Sequence, residues 1–92
     1  MNEIALSSEE KKQLIQQSHA LNPSVTIADN GLSVPVMKEI AVALEAKPLI
    51  KLKFSGYDAR EKKQLVAEVL AETGAQLIQL VGHVAVIYRP ED

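Results

Sequence analysis

Residues 48–54 read PLIKLKF, and apolar and polar side chains alternate with period two: Ile50, Leu52 and Phe54 fall on one side of an extended strand, Lys51 and Lys53 on the other. Residues 7–20, SSEEKKQLIQQSHA, follow a helical period instead. Ser7 and Glu10 have the spacing of a capping box, and Leu14, Ile15 and the later Leu21 make a narrow apolar stripe that buries little. Residues 23–28, PSVTIA, predict a strand that Pro23 starts, with Val25 and Ile27 on one face. Residues 33–46 predict a second helix with Ser33 as cap, Pro35 in its first turn, and Val36, Met37, Ile40, Ala43 and Leu44 on a broad buried face. A third helix starts at Asp58, with Glu61 three residues on, carries Leu65, Val66, Val69 and Leu70, and stops at Gly74. Residues 75–88 predict two apolar strands joined by Gly82-His83, a pair suited to a type II′ turn and antiparallel pairing.

The order helix, strand, helix, strand, helix, strand, strand contains two right-handed crossovers, and the terminal hairpin makes the sheet mixed. The exposed lysines of the central strand predict that the second and third helices cover one side only, leaving the lysine face wet. With 92 residues, 47% of them hydrophobic, the expectation is one domain over residues 1–92 with a modest core. No window approaches the roughly 18–20 apolar residues of a membrane span, and the N-terminus lacks a basic flank before an apolar run. A soluble, cytoplasmic protein is the default expectation. The absence of cysteine closes disulfide, thiolate-metal and cysteine-nucleophile chemistry.

Net charge is −2, yet six bases (Lys47, Lys51, Lys53, Arg60, Lys62, Lys63) stand against two acids between residues 47 and 63. A local patch outweighs the total for a partner at close range, because screening confines the field to about 8–10 Å. Lys11 and Lys12 offset Glu9 and Glu10 and call for no function. His19 fits a helix end and His83 a turn; neither has a cysteine or an adjacent carboxylate at ligand or triad spacing, so no enzyme, metal or cofactor is expected. No Walker loop or dinucleotide fingerprint is present. Three aromatic residues are too few for a base-stacking platform.

The stretch LNPSVTIADNGLSVPVMKEIAVALEAKPLIKLKF, followed by TGAQLIQLVGHVAVIYR, resembles the CRM domain in the small bacterial stand-alone form typified by YhbY, from about His19 to Pro90. The resemblance implies a two-layer α/β (α+β) sandwich: an N-terminal helix, then β-α-β-α-β-β with a four-stranded mixed sheet in order 1-2-4-3. It is similar to the C-terminal domain of bacterial translation initiation factor three, with the last strand antiparallel to the others. It also implies RNA binding, since bacterial members associate with precursors of the large ribosomal subunit. The family's Gly-x-x-Gly loop falls on Ala28, Asp29, Asn30 and Gly31; alanine replaces the first glycine, and Asp29 brings a negative charge.

By that resemblance, Asn30, Gly31 and the N–H groups around Ser33 hold the RNA backbone as in a KH loop. Spacing alone favours an ordinary strand-ending turn, because Asn and Gly are common turn residues, and only the resemblance reverses that order. Alanine at position 28 requires negative φ there, so positive φ is expected at Asn30 or Gly31. Lys51 and Lys53 read either as phosphate contacts or as a solvated strand face. Lys38, Arg60 and Arg89 extend the candidate surface; Arg89 reads equally as a partner for a carboxylate. The chain ends in Glu91 and Asp92 where family members often carry a basic tail. The expected protein is a monomeric, non-catalytic binder of ribosomal RNA. The rival is a protein-interaction module docking through Leu77 and Val81 or a sheet edge, which salt separates from RNA binding.

Overall fold

The computed structural model describes residues 6–90. Its elements are α1 (Ser8–Ser18), β1 (Val25–Ile27), α2 (Val34–Ala46), β2 (Leu49–Phe54), α3 (Ala59–Thr73), β3 (Gln76–Val81) and β4 (Val84–Tyr88). The helices begin where the caps predict. Ser7 and Glu10 form a reciprocal capping box on α1, Asp58 and Glu61 form one on α3, and the Ser33 hydroxyl accepts from the Val36 amide at 3.3 Å. Gly74 ends α3 in the left-handed region at φ +77°, its amide donating to the Leu70 carbonyl. Among the described residues no helix is long and apolar enough to cross a membrane.

The four strands form one sheet in the order β1-β2-β4-β3. β1 and β2 are parallel, and β4 runs antiparallel to both β2 and β3. The apolar run 84–88 therefore lies inside the sheet, as the resemblance implies. Period-two alternation in β1, β2 and β4 sends Val25, Ile27, Ile50, Leu52, Phe54, Ala85 and Ile87 to one face, where Ile40 and Leu44 of α2 and Val66 and Val69 of α3 close the main core. Large aliphatic side chains so enclosed contribute about 1.5–3 kcal/mol each.

The opposite face is not left wet. Leu49, Ile78 and Val86 are buried there beneath Leu14 and Ile15 of α1, with Leu6, Leu21 and Tyr88 around them. The narrow stripe of α1 thus covers part of the second face and adds a partial third layer behind the α2–α3 sandwich. This corrects the expectation of a helix-free lysine face. The stripe is small because it has little to cover: only the half of the face nearest the start of β2.

A bulge in β3 produces a second correction. Leu77 pairs with Ile87 and Gln79 with Val86, so Ile78 is the extra residue. Leu77 and Leu80 consequently both face the main core, whereas Val81, opposite Val84, lies on the other face and is 60% exposed. Strict alternation would place Leu77 and Val81 together; the bulge separates them and removes that pair as a shared docking face.

Ile78 is the β3 residue on which α1 rests. Replacing it with alanine should cost about 2–5 kcal/mol in urea unfolding. Unchanged stability would mean that α1 does not depend on this contact.

Candidate nucleic-acid interface

β1, β2 and β3 point the same way, so the segments following all three emerge at one end of the sheet. After β1, the Gly31 amide donates to the Ala28 carbonyl at 2.9 Å, closing a four-residue turn over Ala28, Asp29, Asn30 and Gly31. Among the described residues no residue other than glycine has positive φ, and Gly31 sits at +62°. Negative φ through Asp29 and Asn30, with glycine in fourth place, fits a type I turn. Ala28 is therefore compatible with the first loop position, and the glycine requirement falls on Gly31 alone.

Tyr57 joins this loop to α3: its hydroxyl donates to the Ala28 carbonyl. The same carbonyl thus receives both the turn amide and the phenol, which ties the loop to the segment entering α3. The start of α2 lies directly beyond the loop. Ser33 is a neutral cap and the first turn of α2 holds no acid, so no carboxylate of the helix itself offsets the positive end of its dipole, and Asp29 of the preceding turn is the acid before it in the chain. At the start of α3, in contrast, Asp58 and Glu61 accept each other's backbone amides, at 2.8 and 3.0 Å.

Of the sequence candidates, Ala28, Asp29, Asn30, Gly31 and Ser33 are together at this end. Lys53 joins them: it pairs in register with Thr26 of β1, two residues before the loop, and it is exposed beyond the cover of α1. Arg60 stands exposed in the first turn of α3. Lys38 is exposed on α2 and lines, with Met37, Ala41, Glu72 and Arg89, a groove of about 450 Å³.

Two candidates are engaged elsewhere. Lys51 is half-buried, and its ammonium donates to the Leu21 carbonyl at 3.1 Å, because the chain leaving α1 crosses the lysine face at that point. It does not stand on an open face. Arg89 follows the end of β4, at the end of the sheet where β2 starts, and it lines the groove with Leu32, Val34 and Lys38. Its guanidinium donates to the Thr73 carbonyl at 3.2 Å, where a cation complements the C-terminal end of α3. Among the described residues its side-chain hydrogen-bond partner is this backbone carbonyl and not a carboxylate.

Sequence reasoning passed over two residues that hold this end together. Tyr57 follows a glycine and carries no periodic signal. Lys62 counts in the sequence as one of the six bases of the 47–63 cluster, yet it is buried, and its ammonium donates to the Gly82 carbonyl at 2.6 Å. A signal for it existed: positions 62, 66 and 69 share one helical stripe, and the latter two are core valines.

The sequence profile of the CRS1/YhbY (CRM) domain matches residues 6–89. The chain is 39% identical over 87 residues to a protein of Haemophilus influenzae named "RNA-binding protein", covering 95% of this chain and 88% of that one. It is 34% identical over 85 residues to the Bacillus subtilis protein named "Probable RNA-binding protein YqeI", covering 91% of this chain and 88% of that protein. The solution structure of the hypothetical protein SAV1595 from Staphylococcus aureus superposes with a TM-score of 0.81 at 28% identity, covering 96% and 92% of the two chains. The chain belongs to the CRS1/YhbY (CRM) domain family.

Gly31 is held by backbone conformation rather than space, since an added Cβ would meet Tyr57 Oη at an ordinary 3.7 Å. Gly31→Ala should therefore destabilise the fold by about 1–2 kcal/mol. Ala28→Gly should keep the fold and cost about 0.4–1 kcal/mol through unfolded-chain entropy. Thermal and denaturant unfolding of the two variants check the order, which would reverse if the glycine requirement lay at position 28.

Proposed function

We propose that this chain is an RNA-binding protein of ribosome assembly, a monomeric, non-catalytic domain that associates in the cytoplasm with the precursor of the large ribosomal subunit. The turn at residues 28–31, the amides beginning α2, Lys53 and Arg60 contact the RNA backbone, with Lys38 at the margin of the surface. The observation that carries this reading is the convergence, at one end of the sheet, of a tight turn, an acid-free helix start and an exposed lysine. Backbone amides and a helix dipole favour phosphate, and the lysine adds a charge that releases counterions when paired. The names of the H. influenzae and B. subtilis relatives support RNA as the partner.

Sedimentation of a cell extract tests the ribosomal part. The protein should travel with large-subunit precursor particles at low salt and leave them as salt rises. Persistence with free protein at low and moderate salt in growing cells would contradict the reading.

Salt titration tests the surface. Lys53→Gln should reduce the slope of log affinity against log salt by about 0.7–0.9, one phosphate contact. Lys51→Gln should leave that slope unchanged, because its ammonium already serves the Leu21 carbonyl. Equal losses from the two variants would restore Lys51 to the surface, and no loss from Lys53→Gln would remove it.

A further inference from the structure

We infer that the β3–β4 turn is a further RNA-contacting element of this surface, with His83 as a hydrogen-bond donor whose tautomer is set by buried Lys62. The inference rests on the RNA-binding reading and names residues that this reading does not use.

The turn belongs to the same end of the sheet as the 28–31 loop. The His83 carbonyl accepts from the Phe54 amide at 2.7 Å, and the next amide, that of Ser55, donates to the Ile27 carbonyl at 2.9 Å. Backbone hydrogen bonds therefore run from the hairpin across the end of β2 to the residue preceding Ala28. Gly82 has φ +58° and His83 does not have positive φ, as a type II′ turn requires, and the His83 side chain is exposed.

Lys62 and Ser18 are the buried polar or charged residues of the described chain. Packing alone gives no reason for an amine at position 62, because an apolar side chain would complete the stripe with Val66 and Val69 without a polar group to satisfy. Both contacts of the amine are on the turn: the Gly82 carbonyl at 2.6 Å and His83 Nδ1 at 3.5 Å. An ammonium group only donates. When the imidazole is neutral, Nδ1 is the nitrogen left to accept from the lysine and the ring hydrogen is on Nε2. In that form the ring offers a donor to phosphate, ribose or base-edge acceptors, without a counterion to release. Lys62 is a positioning residue in this scheme; His83 makes the contact.

The test uses an in vitro transcript of large-subunit ribosomal RNA and the full chain in mildly alkaline buffer. His83→Ala should weaken binding by about 3- to 10-fold, the loss of one hydrogen bond, with the salt slope unchanged. His83→Gln, which retains an N–H donor, should recover part of that loss. Unchanged affinity in both variants overturns the inference while leaving RNA binding intact. Failure of the wild-type chain to bind the transcript overturns the RNA reading, and this inference with it.

Imidazole ¹⁵N shifts of the free wild-type protein should report the Nε2–H form at His83, and Lys62→Met should shift the ring toward a tautomer mixture. An Nδ1–H ring in the wild type overturns the role of Lys62, and it does so even if Lys62→Met fails to fold.

Discussion

The common direction of β1, β2 and β3 is the constraint on which the rest depends. Two crossovers pack α2 and α3 on the same face and bring the exits from all three strands to one end of the sheet. β4 fills the place between β2 and β3 and returns the chain to the other end, which puts Arg89 beside the end of α3. Nothing local to residues 28–31 selects a binding surface. Tyr57, Lys53 and His83 converge with that turn only because the strands before them share a direction.

Basic composition and basic surface are different quantities in this chain. Lys51, Lys62 and Arg89 each donate to a backbone carbonyl, of Leu21, Gly82 and Thr73 respectively. Those carbonyls lie where helices and turns end and backbone acceptors lack regular partners, so a long cationic side chain can satisfy them and tie distant segments together. Lys53 and Arg60 are exposed. The charge cluster between residues 47 and 63 therefore divides between groups that hold the fold and groups available to a partner.

Most of the fold was legible in the sequence because its signals are local. Ser7–Glu10 and Asp58–Glu61 specify helix starts within one turn, Gly74 a helix end, and the alternation through Ile50, Leu52 and Phe54 a strand with one fully buried face. Signals that depend on distant partners were not legible. The stripe of Leu14 and Ile15 does not say what it covers, and it lies on Leu49, Ile78 and Val86. The extra residue in β3 is visible only against its pairing with β4, and the burial of Lys62 only against the turn 20 residues later. For the candidate site, the position of the loop came from the family resemblance, and its need for positive φ at Asn30 or Gly31 followed from residue chemistry. The connection through Tyr57 and the engagement of Arg89 at the end of α3 did not, since both arise from the way the sheet assembles.

The central claim is that one end of the sheet, and not the helical face or a sheet edge, meets RNA. Amide chemical-shift mapping on titration with a large-subunit ribosomal RNA transcript measures this directly. The expected perturbations fall on residues 28–33, on Lys53 and the start of α3, and on Gly82 and His83, while Arg89 and the last turn of α3 stay unmoved. Perturbations confined to the outer faces of α2 and α3, or to the exposed edge of β3, would contradict the account.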